Sequence, residues 1–481
     1  MTLVNTFLDT CRKYPQKVAI IDPNGAVTYD NVCRQALEYA ALLESNDTGS
    51  HVGILLPNSK EFVTTFYGTL MAGKTPVPLN YLLSQAQLHY VIRNAGINTV
   101  FTSNLFKLQL GDQVRHIFST EEKIACSALD EKKIKRCNAD EIAALLYTSG
   151  TNADPKGVML THRNFLGNLE GCVSAFKFTE KEILLGVLPL FHTYALTTTM
   201  ILPVCLGATM VYLARFSGPK VLEAIEKYKI TSLFAIPSMY RVLLRTVESN
   251  KHALGTLKLC TSGGELLPGD VLEAFNKTFP VTLTEGYGLT EATAIVSVNL
   301  PGKSKPGSIG PPLSNLVVKI VNDNGQNQPL NEVGEIWVKG PNIMKGYYKL
   351  PKETTATITP DEWLKTGDYG KLDEDGFLWI TGRKKELIII SGENVSPNEI
   401  ERVISGHTKV FEVAVVGVPD KIRGEVPKAF IALHENTSCS EDEIIEYCMQ
   451  RLPHYKVPKY IEFRKELPHG STGKVLKRAL K

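Results

Sequence analysis

The sequence predicts an α/β protein: a large N-terminal domain of α/β layers, completed by a β-rich subdomain, and a small α+β C-terminal domain. Three observations predict it. From Lys17, short β-branched runs alternate with amphipathic stretches, as in "KVAII", "YDNVCRQALEYAALLE", "HVGILL", "SKEFVTTFYGTLMAG", "TPVPL" and "SQAQLHYVIRNAG", and strands interleaved with helices build parallel α/β units. After about Pro301 the texture turns to glycine-punctuated short strands such as "VVKIVNDNGQ" and "GEIWVKG". Beyond "TGDYGKLDEDGFLWITGRKKELIIISGENVSPNEIE" the chain reads helix, strand hairpin, helix, enough for a unit with its own core.

The α/β rhythm returns in "KVLEAIEKYKITSLFAIPSMYRVLLRTV" and in "LKLCTSGGELLPGDVLEAF", where a strand runs into a glycine turn and then a helix. In the last part "EIERVIS" predicts a helix, "EVAVVGVPDKIRGEVPKAFIAL" a hairpin and "SEDEIIEYCMQRL" a second helix. The boundary is placed near Arg383 to Lys385, giving domains of residues 1–382 and 383–481. A chain of 481 residues is too long for one ordinary core.

Composition narrows the classes of function. With 43% hydrophobic and 21% charged residues the chain is that of a soluble globular protein. A net charge of +3 supplies no global field, so nucleic-acid or membrane binding by bulk charge is unsupported, and any anion must be held locally. The nine cysteines are scattered without a C-x-x-C pair, which fits reduced thiols and a cytoplasmic location better than a disulfide framework or a zinc site. The first residues, "MTLVNTFLDTCRKYP", carry their basic residues after the apolar part and do not read as a secretory leader. The 32 residues from Ile183 to Ala214 contain no Asp, Glu, Lys or Arg, long enough to cross a bilayer. Pro189, His192, Pro203 and Gly207 interrupt the run, so buried segments of a soluble protein are expected.

Four glycine-rich turns carry the chemistry: "TSGTNADPKG", "TSGGELLP", "EGYGLTEAT" and the paired "TGD" and "GRKKE". The first is not the familiar phosphate loop, because five residues after Gly150 comes Pro155 rather than glycine. Its backbone amides, the hydroxyls of Thr148, Ser149 and Thr151 and the cation of Lys156 nevertheless suit a polyphosphate. Read alone, "TSGGE" is a helix entry with Glu265 in the first turn, where the helix dipole favours a carboxylate, and "TGD" is a structural turn.

Taken together and in order, these motifs resemble the adenylate-forming superfamily, which includes acyl-CoA synthetases, luciferases and the adenylation domains of peptide synthetases. The resemblance runs from about Pro15 to Lys481. It implies that Thr148, Ser149, Gly150, Thr151 and Lys156 hold the β- and γ-phosphates of ATP. Asn152 and Ala153 replace the family's Thr-Gly there, and alanine reaches positive φ less readily than glycine. Gly263, Gly264 and Glu265 would line the adenine pocket, with Tyr287 stacking on the base and Gly288 following it. Thr290 and Glu291 would contact the α-phosphate, Glu291 also being the Mg²⁺ ligand. Asp368 would take the ribose hydroxyls, assisted by Arg383. Lys474 would bridge the substrate carboxylate and the α-phosphate, a cation where two anions must approach.

The implied reaction is ATP-dependent activation of a carboxylic acid to an acyl-adenylate, followed by thioester formation with CoA and release of AMP and pyrophosphate. In the family the small C-terminal domain is mobile. It would swing about Lys385, taking Lys474 out and bringing the loop around Gly392 in toward the pantetheine arm. "PLFHTYALTTTM" matches the stretch forming the acyl pocket, with His192 where amino-acid-activating relatives carry an aspartate. Phe191, Tyr194 and the uncharged surroundings suit a fatty acid, with aryl acids as an alternative, and His192 is read as a pocket gate. The segment before "TGD" lacks the insertion typical of fatty acyl-AMP ligases, which favours CoA over an acyl carrier protein as acceptor. A non-catalytic nucleotide binder is the reading from another class. Glu291, Asp368, Arg383 and Lys474 argue against it, since a binder has no use for the last. Monomer and homodimer are left open.

Overall fold

A computed structural model of the chain describes residues 1–122, 127–148, 155–247, 254–390, 393–469 and 475–480. Its centre is an eight-stranded sheet. From edge to edge the strands are Ser297–Val298, Leu283–Tyr287, Leu259–Ser262, Ser232–Ala235, Ile183–Gly186, Thr209–Tyr212, Val18–Asp22 and Gly25–Thr28. The inner six run parallel, and each edge strand is antiparallel to its neighbour. Strands covered on both faces read as continuous apolar runs, and Ser232–Ala235, Leu259–Ser262 and Thr209–Tyr212 are buried throughout.

A second parallel sheet orders Thr75–Pro78, His51–Leu55, Thr99–Thr102 and His116–Ser119. Its helices are capped by the residues that sequence logic favours. Ser84 and Gln87 close a capping box on Gln85–Ala95, and Gly96 ends that helix in the left-handed region, at φ 68°. Thr161 and Asn164 do the same at the start of His162–Phe176. One element has no counterpart in the sequence reading, the helix Leu3–Lys13, which Thr2 caps.

The charge-free run Ile183 to Ala214 folds as a strand, a short helix, a π-helical stretch at Leu196–Ile201, another short helix and a strand, nearly all of it buried. Among the described residues no helix is long and apolar enough to cross a membrane. The β-rich part is the antiparallel sheet Val317–Val321, Gly334–Lys339, Leu364–Leu372 and Leu378–Arg383. After the 3-10 turn Lys384–Glu386 come Ile388–Ile390 and Glu393–Val395, the helix Pro397–Ser405, the hairpin Val410–Asp420 with Gly424–Leu433, the helix Glu441–Met449 and the strand Tyr460–Arg464. Ile388, Ile400, Ile404, Val415, Ile431 and Ile444 pack into an apolar cluster separate from the main one.

Candidate active site

Three predicted segments leave the carboxyl ends of parallel strands of the large sheet, where open α/β sheets hold ligands. His192 follows Ile183–Gly186, Gly263 to Glu265 follow Leu259–Ser262, and Gly288, Thr290 and Glu291 follow Leu283–Tyr287. Gly263 is buried, and a Cβ there would meet the Tyr194 ring at 3.2 Å. The next helix begins at Gly269. Glu265 therefore stands ahead of its first turn, not in it.

Thr290, Glu291 and Ala292 form one 3-10 turn, and the two residues after it, Thr293 at φ 51° and Ala294 at φ 83°, both lie in the region that side chains avoid. Such strain, about 1–3 kcal/mol per residue, persists only where surroundings enforce it. Here they do. The buried Asn342 donates from Nδ2 to the Ala292 carbonyl at 2.8 Å, and its own carbonyl accepts from Thr293 Oγ1 at 2.7 Å. Asn168, equally buried, donates to the Ile295 carbonyl at 2.6 Å. Gly288 admits no side chain, since a Cβ would lie 1.4 Å from the Ala294 oxygen.

The turn is the hub of the site. Thr193, beside His192, donates to Thr290 Oγ1 at 3.1 Å, leaving the Thr290 proton free to point at an anion. Tyr347 donates to Glu291 Oε1 at 2.8 Å. The other Glu291 oxygen accepts no hydrogen bond among the described residues. A half-exposed carboxylate with an open oxygen next to a hydroxyl is the all-oxygen donor set that Mg²⁺ takes, so Glu291 and Thr290 fit the predicted ion.

Thr148 and Lys156 face each other across the antiparallel pair Ile142–Thr148 and Lys156–Thr161. The predicted phosphate ligands Ser149, Gly150 and Thr151, between them, lie outside the described residues. Lys156 Nζ sits 5.2 Å from the centroid of the Tyr347 ring. Among the described residues it forms no ion pair.

On the β-rich sheet Asp368 is paired directly opposite Arg383. "TGD" is thus part of a strand rather than a free turn. Asp368 is 4% exposed. Its Oδ1 accepts from Arg383 Nε at 2.9 Å and its Oδ2 from the Tyr287 hydroxyl at 2.6 Å. Burial and then the Asp368 carboxylate hold the Tyr287 phenol well above its ordinary range, and the same carboxylate raises the Arg383 guanidinium.

His192 accepts the Tyr194 amide at Nδ1, 3.3 Å, capping the short helix Thr193–Ala195. Phe191 packs edge-on against Tyr81, and Tyr194 against Phe234, at centroid distances of 5.0 and 6.0 Å. Lys385 is exposed on the turn Lys384–Glu386. Gly392 and Lys474 lie outside the described residues. The flanks of Lys474 are described: His469 bridges Val475, and Leu476 donates to the Pro468 carbonyl at 2.7 Å. Lys477 then plants its ammonium 2.8 Å from Glu401 and 3.3 Å from Glu386. Burial works against that charge, but the two carboxylates outweigh it and hold the ammonium above its usual range.

Sequence reasoning missed Tyr347, Thr193 and Asn342. Nothing in "GPNIMKGYYKLP" or "FHTYAL" marks them, because their partners arrive only through the fold. Among the described residues, one group of His, Cys and acid lies within metal-ligand reach, His407, Cys439 and Glu443. Lys409 already sits 2.8 Å from Glu443 there, and the group contains no predicted site residue.

Comparison with known proteins adds to this geometry. A family model described as AMP-binding enzyme matches residues 7–348, and one described as AMP-binding enzyme C-terminal domain matches residues 399–474. A long-chain-fatty-acid–CoA ligase of Bacillus subtilis (strain 168) is 36% identical across 100% of this chain and 94% of its own. A sulfoacetate–CoA ligase of Cupriavidus necator is 32% identical across 96% and 94%. Among solved structures, the o-succinylbenzoate CoA synthetase of Bacillus subtilis in complex with its acyl-adenylate intermediate superposes with a TM-score of 0.91. It is 32% identical, and the match covers 99% of this chain and 98% of that one.

Proposed function

We propose, for a chain that belongs to the AMP-binding enzyme family, that the acid it activates is a fatty acid. The chain is an AMP-forming acid–thiol ligase of the adenylate-forming type, and its family uses ATP and CoA. The feature that supports the finer reading is the stretch that the family resemblance assigns to the acyl wall. Phe191 and Tyr194 are buried in it, and Ile183 to Ala214 contains no Asp, Glu, Lys or Arg to pair with a charged substrate tail. An amino acid or a sulfonate would leave its charge unpaired against such a wall. The likeness to a long-chain-fatty-acid–CoA ligase supports the same choice.

In this reading the acid's carboxylate attacks the α-phosphorus in line with departing pyrophosphate, and the protein supplies position and charge rather than a nucleophile. Thr148 to Thr151 and Lys156 hold the terminal phosphates, and Thr290 donates to the α-phosphate. Mg²⁺ on Glu291 would neutralise phosphate charge. Tyr287 and Gly263 to Glu265 hold the base, while Asp368, fixed by Arg383, accepts the ribose hydroxyls. Lys474 stabilises the charge that accumulates between the two anions. The separate apolar core after Ile388 supports a division into residues 1–382 and 383–481, with Lys385 as hinge and Gly392 meeting the pantetheine arm.

Mass spectrometry of the products formed with ATP, Mg²⁺, CoA and an equimolar mixture of saturated fatty acids, benzoate and sulfoacetate tests the substrate. Fatty acyl-CoA is expected. Benzoyl- or sulfoacetyl-CoA alone would overturn the fatty-acid reading, and enzyme-bound acyl-AMP without thioester would make a carrier protein the acceptor. Lys474→Ala should lower adenylate formation roughly 10²–10³-fold while sparing thiolysis of supplied adenylate. Unchanged adenylation in that variant would remove Lys474 from the mechanism.

A further inference from the structure

The short strand Gly346–Tyr347 pairs antiparallel with Lys156–Thr161, setting Tyr347 opposite Val158. Side chains alternate along a strand, so Lys156 and Val158 share a face and Tyr347 falls diagonal to the lysine. The result is a half-buried ring with the Lys156 cation on its face and its hydroxyl on Glu291. Backbone contacts tie the same segment down twice more: Met344 donates to the Glu291 carbonyl at 2.9 Å, and Tyr348 to the Gly157 carbonyl at 2.7 Å.

Lys156 and Glu291 therefore share one neighbour and carry opposite charges, both partly buried, where screening is weaker than in open solvent. A direct ion pair between them would be the natural collapse of an empty site. It would also use up the cation meant for phosphate and the carboxylate meant for a metal ion. We infer that Tyr347 is a positioning residue that keeps this pair apart. The ring gives the ammonium a weak, reversible partner, and the phenol fixes one carboxylate oxygen so that the other stays open. Both charges remain available when the nucleotide arrives.

This inference rests on the roles proposed for Lys156 and Glu291, and the test separates the two. Calorimetry on the full chain, without acid or CoA, measures binding of ATP with Mg²⁺ and of ATP in EDTA, and thermal melts confirm that each variant is folded. Tyr347→Phe keeps the ring and loses the hydroxyl. It should weaken Mg²⁺–ATP about tenfold and metal-free ATP less than about twofold. Tyr347→Leu removes the spacer, so Lys156 and Glu291 pair and metal-free ATP also weakens about tenfold. Adding Glu291→Gln to Tyr347→Leu should then recover most of the metal-free binding, which no loss of packing could do. Wild-type binding of both ligands by Tyr347→Phe, or no recovery in the double variant, overturns the spacer. If Lys156→Met and Glu291→Gln alone leave Mg²⁺–ATP binding unchanged, the site reading beneath it fails instead.

Discussion

Asp368 and Glu291 are both carboxylates beside the candidate nucleotide site, and the chain treats them in opposite ways. Asp368 is buried with both oxygens engaged, one by Arg383 and one by Tyr287. Glu291 is half-exposed with one oxygen engaged, by Tyr347. A saturated carboxylate is held in one orientation and can only read a shape brought to it. A half-open one can still gain a cation. The difference matches the roles proposed above, recognition for the first and charge neutralisation for the second.

The contrast can be broken most decisively at Glu291. Glu291→Gln keeps the shape and loses the charge, and should cut adenylate formation roughly 10²–10³-fold in a pyrophosphate-exchange assay. Asp368→Asn should act mainly on the KM for ATP, by about tenfold. A larger kcat effect for Asp368→Asn than for Glu291→Gln would reverse the assignment.

Stability sharpens it next. Asp368→Ala leaves the Tyr287 hydroxyl without its acceptor, which should cost about 1–3 kcal/mol in denaturant unfolding. A third carboxyl, Glu285, shows what happens where burial outweighs the donors and charge nearby. It is buried, accepts from the Leu267 amide at 2.9 Å, and is pushed up to about 7 by burial, against the pull of that amide and of Arg402. Between the ordinary glutamate value of 4.5 and about 7 the folded chain keeps a proton that the unfolded chain has released. Its contribution to stability is full below that window, falls as pH rises through it, and is constant above. Glu285→Gln should therefore gain on the wild type from pH 5 to 7, reaching about 1–3 kcal/mol. Parallel pH profiles of melting temperature for the two proteins would show that burial does not hold this proton. The smallest effect is expected at Thr193→Val, which removes the donor to Thr290. Adenylation should slow by about threefold, with thiolysis of supplied adenylate unchanged.

What the sequence made legible follows from distance along the chain. The strand–turn–helix units are local signals, and those that alternation and spacing predict around Leu259–Ser262 and Ser232–Ala235 appear in the structure. Tyr347, Thr193 and Asn342 act on partners far away in sequence, and their own surroundings carry no charge or spacing that points to Lys156, Thr290 or Ala292. Asp368 and Arg383 were readable as motif members. That they face each other across adjacent strands follows only from the pairing register. The helix Leu3–Lys13 is a different omission, since Leu3, Val4, Phe7, Leu8 and Cys11 mark one apolar stripe that periodicity alone could have found.

The strained turn after Glu291 has a consequence for the order of assembly. Thr293 and Ala294 hold their conformation because Asn342, encoded some fifty residues later, reaches back to Thr293 and to the carbonyls of Ala292 and Ile295 on either side. A chain emerging from the ribosome can form the strand Leu283–Tyr287 and its parallel neighbours well before Asn342 exists as a partner. Closing that loop costs entropy that only the finished contacts repay. The scaffold is thus competent to fold first, and the turn that carries Glu291 is set last, when the β-rich segment docks.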